Sequence, residues 1–122
     1  MTKQILEVDI IKERMSGAGV VVKNLVSGDI VSVTTEIALN RQLTIITGKT
    51  LTTNDIFIIA SNPIEGCGAQ IVLIGDGSHS PVLTACDYQV GTYDSTAAIA
   101  NLLTFEYING KVWVSILNGV AV

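Results

Sequence analysis

Asn109-Gly110 lies between two runs rich in β-branched and aromatic residues, LLTFEYI before it and KVWVSIL after it. A two-residue type I′ turn needs positive φ at both central positions, and Asn-Gly meets that demand more readily than almost any other pair. The loop length then sets the pairing. Ile108 lies opposite Lys111, Tyr107 opposite Val112, Glu106 opposite Trp113, Phe105 opposite Val114, Thr104 opposite Ser115 and Leu103 opposite Ile116. One face of this hairpin is continuous and apolar (Leu103, Phe105, Tyr107, Val112, Val114, Ile116), and the other is mixed. A slip of one residue would turn the apolar set into water, so the pattern itself pins the register.

The rest of the chain must accommodate an apolar surplus. Of 122 residues, 48% are hydrophobic and 15% charged, against an average charged fraction of about 25%, and the mean hydropathy is +0.52. One domain of this length has limited interior. No uninterrupted run approaches the ~20 apolar residues of a spanning helix, so a membrane does not absorb the surplus. Burial between identical chains is the remaining solution, which predicts an obligate homo-oligomer. Phe105, Tyr107, Val112, Trp113, Val114 and Ile116 are the expected interface residues.

Charge placement narrows the function classes. Residues 1–62 hold six Lys/Arg and six Asp/Glu, whereas residues 63–122 hold Lys111 against five acids, which accounts for the net charge of −4. A phosphate backbone needs a basic patch, so nucleic-acid binding is not expected. The opening MTKQILEVDIIKERM lacks a basic leader followed by an apolar core, so no secretory signal is expected. Cys67 and Cys86 are too few for a disulfide scaffold; they read as free thiols, with a bridge possible if their strands are neighbours.

Residues 3–15 fit either a helix or a strand and end firmly at Gly17 and Gly19. They read as an N-terminal arm suited to docking, or as a first strand of the same domain. From Val20 the chain reads as strand after strand: VVVKNLV, IVSVTTEIAL, LTIIT, DIFIIA, QIVLI and PVLTA, separated by turn signals at Gly28, Gly48-Lys49, Pro63 and the loop Gly75–Ser80. The unbroken run DIFIIA implies a strand covered on both faces. This spacing predicts an all-β fold: a compact antiparallel β-sandwich, a small barrel or a trimeric β-prism with an N-terminal arm. Residues 1–19 form the arm and residues 20–122 the β domain. No internal repeat stands out.

Fragments of chemical motifs are present, and each has a simpler structural explanation. Thr47-Gly48-Lys49-Thr50 resembles the end of a phosphate-binding loop, but the required earlier glycine is Leu43 and no helix follows, so a hairpin turn is expected. Asp76, Ser78, His79 and Ser80 bring an acid, hydroxyls and an imidazole into one loop. Consecutive loop residues rarely achieve the nucleophile, base and orienting group of a hydrolase, so a small Ser/His hydrolase stands as a minor alternative. Cys67, His79 and Cys86, with Asp76 or Asp87, lack the close ligand pair typical of zinc sites, and the acids lack the alternation of a calcium loop. No catalytic residue, metal or cofactor is expected.

Trp113 emerges on the mixed face of the hairpin, which marks a contact: a subunit interface, a sugar platform shared with Tyr88 or Tyr93, or cover from elsewhere in the monomer. The segment NLLTFEYINGKVWVS (Asn101 to Ser115) resembles the terminal hairpin of bacteriophage fibre and head-fibre proteins, resting on Phe105, Tyr107, Asn109, Gly110 and Trp113. The resemblance implies a non-enzymatic virion component: a head fibre, capsid decoration or fibre-tip unit, made in the host cytoplasm. It implies a β-rich homotrimer joined to other virion proteins by its arm, with a host surface glycan as a candidate contact. A long repetitive shaft is missing, which favours a compact unit. A carbohydrate-binding β-module is the alternative.

Overall fold

The computed structural model describes residues 29–120, so the expected arm at residues 1–19 and the run VVVKNLV lie outside the described residues. Among the described residues every regular element is a strand: β1 (Asp29–Val31), β2 (Glu36–Ile37), β3 (Thr44–Thr50), β4 (Ile56–Ile59), β5 (Gly68–Ile74), β6 (Val82–Leu83), β7 (Tyr88–Val90), β8 (Ala100–Ile108) and β9 (Lys111–Gly119). The all-β expectation therefore holds.

The strand arrangement is solenoid-like rather than antiparallel throughout. The chain alternates between two sheets, laying β1, β3 and β5 in parallel on one side and β2, β4 and β6 in parallel on the other. Backbone bonds carry the stacking beyond the short strands: Ala60 N–H donates to Ile37 O at 2.8 Å, and Thr84 N–H to Phe57 O at 2.9 Å. After the third pass β8 returns antiparallel to β5, β9 folds back on β8, and β7 joins the outer edge parallel to β9. The larger sheet thus has the order β1-β3-β5-β8-β9-β7 and the smaller β2-β4-β6. Local turn signals suggested antiparallel neighbours; in a coil, each turn instead carries the chain to the opposite sheet.

Gly48-Lys49 shows the difference. It is not a hairpin turn but a bulge inside β3, where the register moves from Ile46 opposite Ile71 to Lys49 opposite Leu73. One extra residue on β3 is accommodated there. Gly48 is required because a Cβ would stand 2.4 Å from the Val72 carbonyl oxygen.

The core lies between the inner faces of the two sheets. Across the larger sheet Ile46, Ile71, Leu103 and Ile116 form one buried row, and Ala69, Phe105 and Val114 form the next. Ile37, Leu39, Leu51 and Phe57 complete the same apolar cluster. Full burial of a Leu, Ile or Phe side chain contributes roughly 1.5–3 kcal/mol relative to exposure, so these rows are the main source of stability. The hairpin has the predicted register from Ile108–Lys111 to Leu103–Ile116 and continues to Ala100–Gly119. Asn109 and Gly110 have φ of 55° and 70°, as a type I′ turn demands.

Candidate interaction surface

Alternation sends every second residue of the larger sheet outward. The row Ile30, Ile45, Gln70, Thr104, Ser115 and Val90 crosses all six strands, and beside it runs the row Val72, Leu102 and Leu117. Leu117 is 65% exposed and Val90 62%. A shallow depression of about 280 Å³ between Ile45, Gln70, Val72 and Leu102 marks the β3 side of this face. Further toward the hairpin turn the outer face carries Glu106, Trp113 and Tyr88, then Ile108 and Lys111. Among the described residues its charged groups are confined to that end.

The expected interface residues divide between the two faces. Phe105, Val112, Val114 and Ile116 are buried in the chain's own core, and Tyr107 packs against that core. The apolar hairpin face is therefore covered within one molecule by the first three passes of the coil. Trp113 is exposed on the opposite face, its ring 4.5 Å from that of Tyr88 at an interplanar angle of 34°. Tyr93 does not join them; it packs on the core with its hydroxyl enclosed and without a hydrogen-bond partner. Burial raises its pKa, and the charges of Asp76 and Asp94 push in the same direction. DIFIIA is not covered on both sides either, since Ile56 and Ile58 are exposed on the outer face of the smaller sheet.

The loop after β5 is a folded turn. Asp76 Oδ1 accepts the N–H groups of Ser78 and His79, both at 2.9 Å, and Asp76 Oδ2 lies 2.5 Å from His79 Nδ1. A carboxylate only accepts, so this bond places the imidazole proton on Nδ1. The His79 backbone N–H first, then its ring and the Ser78 N–H, hold the Asp76 pKa down to about 2. No hydrogen bond joins His79 to the hydroxyl of Ser78 or Ser80; instead the Ser80 N–H binds Asn54 Oδ1 at 3.0 Å. The arrangement locks a loop and does not set a nucleophile against a base.

The acidic bias of the second half has the same origin. Glu65 accepts the N–H groups of Asn109 and Gly110 at 2.5 and 3.1 Å, capping the hairpin turn. Asp87 accepts the Val112 N–H at 2.8 Å while its own N–H donates to Val112 O at 2.8 Å. Asp94 accepts the Thr96 N–H at 2.9 Å. With Asp76, four of the five acids beyond residue 62 are occupied by backbone N–H donors of turns and strand ends. Only Glu106, on the outer face, has no such role.

Cys67 and Cys86 are free, and burial raises the Cys86 thiol pKa, with the Asp87 charge adding to it. No cluster of three His, Cys, Asp or Glu side chains fit to hold a metal occurs among the described residues. No helix among them is long and apolar enough to cross a membrane.

Sequence reasoning missed Val72, Leu102, Leu117 and Val90 as surface residues. The signal was QIVLI, which lacks the polar alternation of a strand with one wet face; it implied apolar side chains on both sides of β5. No family model, no curated protein and no solved structure matches this chain.

Proposed function

We propose that this chain is a non-catalytic structural unit of a bacteriophage particle that works as a homo-oligomer. The observation that carries the reading is the apolar surface left in water on the outer face of the larger sheet after the core is complete: Ile30, Leu117 and Val90 are all more than half exposed there, with Val72 and Leu102 between them. Monomeric proteins rarely leave contiguous apolar patches larger than a few hundred Å². The resemblance of the Asn101 to Ser115 hairpin to phage fibre and head-fibre proteins supplies the particle. In this reading three chains pack sheet faces about a common axis in a prism-like unit. The N-terminal arm attaches it to other virion proteins, and the polar loops around residues 75–80 and 90–96 face outward. Light-scattering mass of the full chain at micromolar concentration tests the assembly. A mass of several chains is expected, and a stable monomer would refute the reading.

A second reading is favoured by one contact. Trp113 and Tyr88 pack at a tilt beside Glu106 on an open face, and paired aromatics with a nearby acceptor suit the apolar face of a sugar ring. Here the chain would be a carbohydrate-binding module. Calorimetric titration with a glycan panel, repeated on Trp113→Ala, separates the two. A structural tryptophan lowers the assembled mass, whereas a sugar platform loses glycan affinity at unchanged mass.

A further inference from the structure

We infer that a second copy of this chain covers the outer face of the six-stranded sheet, packing on Val72, Leu102 and Leu117 and on the flanking Ile45 and Val90. The inference rests on the homo-oligomer reading above and assigns the surface that performs it.

Area decides between the two bare faces. On the larger sheet Ile30, Val72, Tyr88, Val90, Trp113 and Leu117 are exposed by 78, 39, 48, 62, 40 and 65%. At roughly 150–250 Å² for residues of these sizes when fully exposed, they leave about 600 Å² uncovered. A stable specific interface takes about 800 Å² from each partner, and the half-buried Ile45, Gln70, Leu102, Thr104 and Ser115 between them supply the difference. The outer face of the smaller sheet offers Ile56, Ile58 and Val82, exposed by 58, 42 and 46%, or about 250 Å² on the same scale, less than half the apolar surface of the larger sheet.

Chemistry and shape agree with area. Interface centres are depleted of charge, and across the rows through Gln70 and Val72 the polar groups are uncharged: Gln70, Thr104 and Ser115. Six strands at about 4.8 Å spacing give a surface about 24 Å wide, broad enough for sheet-on-sheet packing. Edge-to-edge pairing is less suited, because the edge strands β1 and β7 are three residues each, and short edges offer few backbone bonds.

The test compares the assembled mass of the full chain with Leu117→Arg, Val90→Arg and Ile58→Arg, each verified as folded by circular dichroism. Leu117 and Val90 already face water in one chain, so arginine there leaves the core intact, and two variants guard against misfolding of either. If the inference holds, the native chain is oligomeric, Leu117→Arg and Val90→Arg weaken self-association by roughly a hundredfold or more because an unpaired charge would be buried, and Ile58→Arg leaves the mass unchanged. An oligomeric native chain that Ile58→Arg disrupts while Leu117→Arg and Val90→Arg do not would overturn the assigned surface and leave the oligomer reading standing. A monomeric native chain, with this face covered by its own residues or bare, would overturn both.

Discussion

Replacing Asn101 with alanine is predicted to be among the most damaging single changes available to this fold. Asn101 is fully buried on the inner side of β8, beyond the apolar rows. Its Oδ1 accepts the Asp94 N–H at 2.9 Å and the Asn118 Nδ2–H at 2.6 Å. Its Nδ2 donates to Asp94 O at 3.0 Å and, at a longer 3.3 Å, to the carbonyls of Leu73 and Ile99. One side chain thus ties β8 to β5, to β9 and to the loop that closes the end of the coil. That loop is also zipped to the turn after β5, with Gly77 N–H on Ser95 O at 2.7 Å and Ala98 N–H on Gly75 O at 2.9 Å. An unpaired buried polar group costs about 1–3 kcal/mol. The three short bonds dominate, so Asn101→Ala should lose about 3–5 kcal/mol of the 5–15 kcal/mol typical of a domain. Asn118→Ala keeps the Asp94 contacts but removes both the bond to Asn101 and the 3.0 Å bond to the Thr92 carbonyl, and should lose about 1–2 kcal/mol. The double variant should cost less than the sum of the two single variants, because both changes delete the Asn101–Asn118 bond. Asn101→Asp would set a carboxylate against three carbonyls, which raises its pKa; the folded state then binds the extra proton, so this variant should gain stability as pH falls. Urea denaturation measures all four proteins. A loss below about 1 kcal/mol for Asn101→Ala, or strict additivity with Asn118→Ala, would refute the assignment of Asn101 as the tie.

Three further outcomes follow from individual contacts. Gly91 has φ of 85° and an added Cβ would stand 2.2 Å from the Ile116 carbonyl oxygen, so Gly91→Ala should cost at least about 2 kcal/mol in thermal or urea unfolding; a neutral result would contradict the close approach of β7 to β9. Tyr93→Phe removes a buried hydroxyl that has no partner and should be neutral or stabilising by about 1 kcal/mol, whereas a clear loss would reveal a bond to that oxygen. Asp76 has its carboxyl held at about 2 by donors that exist only in the folded loop. Its contribution is therefore present above the ordinary carboxylate range and is lost as pH falls from about 4 to about 2. The Ser78 and His79 amide resonances should report that midpoint, and titration at the ordinary carboxylate value would show the turn to be open in solution.

What could be read from the sequence followed the range of the contacts. The terminal hairpin was legible in full, because alternation and a two-residue Asn-Gly loop specify partners within a few residues of each other. The coil was not. Asp29 meets Thr44 and Thr44 meets Ala69, at unequal intervals, so parallel stacking leaves no fixed period for the eye to find. Gly48-Lys49 misled for a related reason: a glycine required by the nearby Val72 carbonyl looks in sequence like a glycine required by a turn. Asn101 could have been found, since in the series Asn101, Leu103, Phe105 and Tyr107 it is the polar member of an apolar face, and a buried asparagine needs partners. The acids of the second half gave no local signal of their role. They are caps on backbone donors, and that role is invisible until Glu65 is placed beside Gly110 and Asp87 beside Val112.

The apolar surplus that first suggested assembly turns out to have two parts. The hairpin face that seemed to demand a neighbour is satisfied within one chain, by Ile46, Ile71 and the residues of the smaller sheet. A coil of this kind needs apolar side chains only on its inner surface, and near the hairpin turn the outer surface is mixed, with Glu106 and Lys111 among its members. Along the middle of the same strands it is not, because Val72, Leu102 and Leu117 stand side by side with no charge among them. Since Leu117 contributes to no part of the core, replacing it with a polar residue should leave the folding stability of one chain within about 0.5 kcal/mol. Any larger loss that depended on protein concentration would then measure association, not folding.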